Sequence, residues 1–288
     1  MEQAARRDAP DAPDRGAAAR ARRENFPVGS VLIRRDLRPC VMRYYAFART
    51  ADDVADDPDL GAHEKLRRLD ALEAALDGRP GPREGAALRE DLARRGLADR
   101  HARDLLIAFR RDAVEGRCAD WAALDRYCEH SARPVGRFML DLHGEDRRTW
   151  APSDALTAAL QVLNHLQDMG PDRARLDRVY LPLDWMAEAG ARVADLDADA
   201  IAPGLAAVMD RVLDRCDGWL RQAAPLPGLV ASPRLSGECE AILFLARRLA
   251  GRLRGSDPLA ARVALGRLDF AAAAARGAAR AAGKTLWR

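Results

Sequence analysis

The sequence predicts an all-α protein, and three observations carry that reading. Alanine, leucine and arginine are abundant, while aromatic residues make up only 5% of the chain and β-branched runs are few, a balance that favours helix over sheet. Apolar residues recur at spacings of three and four along most of the length. Proline and glycine cluster at places such as 79 to 82 and 225 to 234, cutting that pattern into pieces of helix length. A chain of 288 residues, 48% of them hydrophobic, can bury a sizeable core; one large helical domain accounts for it, although length alone would allow two.

Taken in order, residues 1 to 23 are mostly Ala, Arg, Asp and Pro and read as a disordered tail; they hold no apolar core of a signal peptide. The folded domain is expected over 24 to 288. Helical periodicity runs from Val31 to Asp57 and breaks at Pro58. Glu64 to Leu76 reads as a surface helix, residues 79 to 82 as a loop, and Leu88 to Leu97 and Arg100 to Val114 as two further helices with a turn near Gly116. Trp121 to His143 is expected as one helix interrupted by Pro134 and Gly136. Later helices are expected at Ile201 to Ala224, Cys239 to Leu253 and Pro258 to about Ala282, with Leu243 to Leu245 serving either core packing or an apolar channel.

Composition also excludes several classes of function. A net charge of +3 on a chain that is 32% charged is too near balance for a dedicated nucleic-acid binder. No stretch reaches the roughly 18 consecutive apolar residues of a membrane span, so a cytoplasmic protein touching membranes at most at its surface is expected. The five cysteines are scattered without a C-x-x-C pair and read as reduced core residues. The five histidines lack zinc-site spacing; His165, one residue from Asn164, is expected to face elsewhere and to be structural.

The chemistry concentrates in residues 159 to 182. On a helix, Asn164 and Asp168 share one face, Asp172 follows a turn later and Gln161 sits beside them, while Leu160, Val162, Leu163, Leu166 and Met169 surround that stripe with apolar side chains. Taken alone, such a D-x-x-x-D stripe is as consistent with a solvated face. A second one exists: Asp52 and Asp56 lie four apart with Arg49 one turn earlier. Two such stripes about 116 residues apart, facing one another across a bundle, would bracket a diphosphate with metal ions. Donors that are all oxygen favour a hard cation, Mg2+, which takes one or two carboxylates plus water and phosphate oxygens. Pro171 is expected to distort the helix just before Asp172.

The two stripes, together with Tyr45 to Arg49 (Tyr-Ala-Phe-Ala-Arg) and Arg178 to Pro182 (Arg-Val-Tyr-Leu-Pro), resemble the squalene/phytoene synthase family of isoprenoid synthases from about Asn25 to about Phe270. The resemblance implies a single-domain terpenoid-synthase bundle with a central active-site cavity, Mg2+ held by Asp52, Asp56, Asp168 and Asp172, and a prenyl diphosphate contacted by Arg49, Arg178, Asn164 and Gln161. Tyr45, Tyr127 and Tyr180 then stabilise carbocations or serve as amphipathic core residues. Asn25 and Ser30 contact phosphate or shape a turn, and Arg133 binds diphosphate if it points inward.

Within the family, the Glu-Asn-Phe-Pro-Val opening, Ser-Ala-x-Pro-Val-Gly at 131 to 136 and Gln167, where condensing members commonly carry Arg, resemble the hydroxysqualene synthase branch of bacterial hopanoid synthesis. That branch implies presqualene diphosphate as substrate, an upstream synthase that supplies it and a downstream reductase. No glycine-rich dinucleotide fingerprint supports NADPH binding. A condensing synthase joining two prenyl diphosphates, and a non-catalytic scaffold of the same fold, are the alternatives; retention of all four aspartates argues against the scaffold.

Overall fold

The structure, a computed structural model, describes residues 33–286; the expected tail at 1 to 23, Asn25 and Ser30 lie outside the described residues. Helix α1 spans Arg38–Asp56 and stops at an extended Asp57, because the ring of Pro58 disfavours helical dihedrals in the residue before it. It buries Val41, Tyr44, Phe47, Ala51 and Ala55 at three- and four-residue spacing against α3 (Arg83–Arg95) and α4 (Arg100–Asp112). Helix α2 (Ala62–Leu76) packs on the same group through Leu69, Leu72 and Leu76. Gly96 closes α3 in the left-handed conformation, φ 65°, its N–H donating to the carbonyls of Leu92 and Ala93.

The second core is built around α7 (Trp150–Gln167), which α5 (Trp121–Ser131), α6 (Arg133–Leu142), α10 (Pro203–Ala223) and α12 (Pro233–Leu253) surround. Small residues Ala155, Ala158 and Ala159 let its neighbours approach closely, and Leu156, Val162, Leu163 and Leu166 fill the space between. The remaining helices are α8 (Met169–Leu176), α9 (Leu183–Glu188), α11 (Leu226–Leu229) and α13 (Arg267–Leu286).

The all-α class holds, and three details are added or changed. First, a small strand pair joins the helices: β1 (Arg117–Cys118) pairs in parallel with β2 (Val179–Pro182), anchored by the Val179 N–H donating to Gly116 O at 2.8 Å. Gly116 is required there, since a Cβ would meet Asp177 O at 2.8 Å. Second, residues 121 to 143 form two helices broken at Ala132 (φ −122°, ψ −49°). Pro134 sits in the first turn of α6, where a missing N–H costs nothing, and Gly136 makes no break: its Cβ would lie 2.5 Å from Ser153 Oγ, so it permits close packing of α6 on α7. Third, residues 258 to 266 form no helix; the Asp257 carboxylate accepts from the N–H of Leu259, Ala260 and Ile201 and holds them as a loop. The segment Leu243 to Leu245 packs in the core, Leu243 in the main cluster and Leu245 beneath α13.

Helices α12 and α13 meet through Gly237 and Gly277, each of which would drive a Cβ into the other's backbone carbonyl. Gly237→Ala is expected to cost about 1–3 kcal/mol, because backbone cannot move aside. In Gly251→Ala, on the same helix with open space around it, stability should hold or rise by about 1 kcal/mol. Thermal unfolding of both variants against the parent checks the pair.

Candidate active site

The C-terminal half of α1 carries Asp52 and Asp56; the junction of α7 and α8 carries Asp168 and Asp172. All four line one cleft of about 280 Å3, together with Gln161, Asn164, His165, Asp112, Ser131, Tyr127, Arg178 and Tyr180. The expected distortion at Pro171 lies a turn upstream of where the sequence suggests. Without an N–H, and with a ring that would strike the carbonyl of Gln167, Pro171 stops α7 at Gln167; the backbone turns at Asp168 (φ −107°, ψ 16°) and restarts as α8 with Pro171 in its first turn. The Asp172 N–H still donates to Asp168 O at 2.8 Å, which keeps both carboxylates on the cleft.

Three of the four carboxylates have an arginine neighbour and the fourth a histidine. Arg49 Nη1 lies 2.8 Å from Asp52, Arg178 Nη1 2.5 Å from Asp56, Arg262 Nε 2.8 Å from Asp168 and His165 Nδ1 3.8 Å from Asp172. Arg178 is the buried one, and it also donates to Ala55 O and Asp112 O, both at 3.2 Å, joining the ends of α1 and α4 to β2. Strand alternation sends Arg178 and Tyr180 to the cleft and Val179 and Leu181 to the core. Its guanidinium is held well above its ordinary range: burial opposes the charge, but Tyr180, Asp112 and Asp56 outweigh it.

Negative charge nevertheless remains in excess. Burial, and after it the charge of Asp56, pushes the Asp52 carboxyl up to about 7. Burial pushes Asp112 up to about 6 against the pull of Arg178 and the hydrogen bond from Tyr127. Among the described residues no three acidic or histidine side chains enclose a cation by themselves. Pairs of carboxylates short of counter-charge suit a hard cation that completes its shell with other oxygens, as Mg2+ does with water and phosphate, so the donor set fits.

Of the other expected residues, Gln161, Asn164, Tyr127, Tyr180 and Arg178 line the cleft, whereas Tyr45 and Arg49 lie on α1 outside the lining. Arg49 reaches the site through Asp52. Tyr44, next to Tyr45, is a core residue, stacked on Phe138 at 3.9 Å with its hydroxyl donating to His101 O. Arg133 does not face the cleft; it pairs with Asp125 and Glu129 and clamps the break between α5 and α6. Gln167 is buried and turns away, donating to Val263 O at 2.5 Å, and so fastens the loop that carries Arg262 to the helix break.

His165 does not face elsewhere, as its place beside Asn164 suggests it would. It stands four residues after Gln161 and three before Asp168, a spacing that already puts it on the stripe's face, and it lines the cleft. Its ring stacks on Tyr180 at 3.5 Å between centroids, and Tyr180 lies 5.3 Å from Tyr127. The Tyr127 hydroxyl donates to Asp112 Oδ2 at 2.8 Å, and the Tyr127 and Tyr180 oxygens are 3.5 Å apart. Asp112 and Arg262 had no local signal, since long-range folding alone brings them here. His165, Asp172, Arg178 and Tyr180 also border an apolar pocket behind the cleft, lined by Leu124, Val162, Leu166, Met169, Leu181 and Val212. That pocket is nearly filled by its own side chains, leaving about 10 Å3.

Comparisons with known proteins identify the chain's relatives. The family model described as squalene/phytoene synthase matches residues 19–270. The chain is 45% identical to a hydroxysqualene synthase of Rhodopseudomonas palustris and 42% identical to one of Sinorhizobium fredii, covering 86% of both chains in each pair. It is 31% identical to a phytoene synthase of Thermus thermophilus over 85% of both chains. The crystal structure of squalene synthase HpnC from Alicyclobacillus acidocaldarius superposes with a TM-score of 0.71 at 31% identity, over 83% of this chain and 94% of that one.

The raised carboxyls give the metal-free protein a defined pH dependence. Between the ordinary Asp range and about 6 to 7 the folded state holds protons that the unfolded chain has released, so stability from these groups is full at low pH and is lost as pH rises through that window. Asp52→Asn removes part of this effect. In EDTA the variant's melting temperature should fall less than the parent's between about pH 5 and pH 8; parallel falls would contradict the assignment.

Proposed function

The chain belongs to the squalene/phytoene synthase family, and from that membership we propose that it carries out the hydroxysqualene synthase reaction: presqualene diphosphate ionises, the cyclopropylcarbinyl cation rearranges, and water captures it to give hydroxysqualene and diphosphate. The observation that carries this reading is the meeting of two aspartate pairs on one cleft with an apolar pocket directly behind it. A diphosphate belongs in the first, and a hydrocarbon chain on the apolar side that the second marks.

Asp52, Asp56, Asp168 and Asp172 would hold Mg2+, which when bound supplies Lewis-acid neutralisation of the leaving group's charge. Arg178 and Arg49 offer guanidinium donors to phosphate oxygens, with Gln161 and Asn164 adding amide donors. Leu124, Val162, Leu166, Met169, Leu181 and Val212 form the apolar side of the site, which excludes bulk water. At the seam, the faces of Tyr127, Tyr180 and His165 surround the place where positive charge forms, each aromatic face being worth about 0.5–2 kcal/mol to a desolvated cation.

The five cysteines, free and buried, support a reducing cytoplasmic setting. No helix among the described residues is long and apolar enough to cross a membrane. We place a presqualene diphosphate synthase upstream and a reductase downstream as hand-off partners, because the product is an apolar alcohol.

Purified protein with Mg2+ and no NADPH, given presqualene diphosphate, should form hydroxysqualene, and given farnesyl diphosphate should form nothing. Asp52→Ala and Asp168→Ala should each reduce turnover on the order of 10²–10³-fold. Consumption of farnesyl diphosphate would instead place the chain among condensing synthases.

A further inference from the structure

Water capture leaves a protonated alcohol, which must lose a proton. A proton acceptor is therefore needed close to the cation yet away from the diphosphate. The seam between cleft and pocket holds a hydrogen-bonded series that runs in one direction: the Tyr127 hydroxyl donates to Asp112 Oδ2 at 2.8 Å, which leaves the Tyr127 oxygen free to accept from Tyr180 at 3.5 Å. Tyr180 borders both the acidic cleft and the apolar pocket, and His165 stacked on it fixes its ring. Asp112 lies at the end of α4, on a different element from either aspartate pair, and pairs with none of the four.

Resting on the hydroxysqualene reading above, we infer that Tyr180, Tyr127 and Asp112 form a proton relay that positions the capturing water and takes its proton. A lone pair of the water oxygen forms the new C–O bond with the cationic carbon. One O–H bond of that oxygen breaks towards the Tyr180 oxygen; the Tyr180 proton moves to Tyr127, and the Tyr127 proton to the Asp112 carboxylate, which becomes the acid and later returns the proton to solvent. Charge balances, and no oxidant or reductant is required. Tyr180 is the member that touches the reacting water, while Asp112 is a positioning residue that acts through the two hydroxyls. Burial suits it to this work, since a carboxylate with its acid strength reduced towards neutrality is a better base than an exposed one.

The test is the number of hydroxysqualene molecules formed per diphosphate released from presqualene diphosphate in the presence of Mg2+. This ratio reports the fate of the cation and is independent of how fast it forms. In the parent it should be near one. Asp112→Asn and Tyr127→Phe should each lower it about tenfold or more, the balance appearing as hydrocarbons that lost a C–H proton instead. The double variant should be no lower than the lower single, since both changes cut one relay. Unchanged ratios in both singles would overturn the relay and leave the diphosphate itself as the base. Additive losses, or a folded Asp112→Asn that releases no diphosphate, would also overturn it, because a group acting after ionisation is no condition of ionisation. Should Asp112→Asn fail to fold, Tyr127→Phe decides alone. No diphosphate release by the parent would sink the hydroxysqualene reading and the relay together, an outcome distinct from failure in the variants only.

Discussion

Five carboxylates, Asp52, Asp56, Asp112, Asp168 and Asp172, share one cleft, and charges taken from water must be paired or they destabilise the fold. The surrounding structure answers that constraint. Arg178 is the only guanidinium among the described residues that line the cleft, and its three attachments, to Asp56 and to the carbonyls of Ala55 and Asp112, tie the ends of two helices to the start of one strand. The short parallel pairing of β1 and β2 makes sense as the device that delivers it, because an extended segment sends Arg178 and Tyr180 one way and Val179 and Leu181 the other. A helix at this point would have spread those four residues around its circumference.

The break between α7 and α8 serves the same end. An unbroken helix would point Asp168 and Asp172 along one line; the turn at Asp168 gives each its own approach to the cleft. A helix broken inside a packed bundle leaves backbone and side chains in need of support, and the loop at 258 to 266 provides it. Gln167 holds that loop by the carbonyl of Val263, and the loop returns Arg262 to Asp168. With Gln at position 167 the side chain turns into the core and becomes a fastening, whereas a charged side chain would have to stay with the carboxylates.

Polarity changes abruptly across the site. Within one side-chain length the lining passes from paired aspartates to Leu, Val and Met, and the residues shared by both sides are Tyr180 and His165 beside Asp172 and Arg178. Such a boundary keeps a departing anion and a hydrocarbon cation on separate sides while leaving polar atoms within reach of the cation.

Much of this was legible in the chain itself. Three-and-four periodicity located the helices, Pro58 ended α1, and the two D-x-x-x-D stripes singled out four residues that the fold brings to one cleft. Local pattern failed where distant segments decide. The strand at 179 to 182 needs its partner at 117, and Arg133, on the right segment, is claimed by Asp125 and Glu129. His165 was legible by spacing but masked by its neighbour Asn164.

By itself, then, the sequence determined where helices run and which acidic pairs exist, because helical periodicity and i, i+4 spacing are properties of adjacent residues. Only the tertiary structure decided which charges meet. Arg178 finds Asp56 across 122 residues and Tyr127 finds Tyr180 across 53, and contacts at such separations are set by how whole helices pack, which no short motif records.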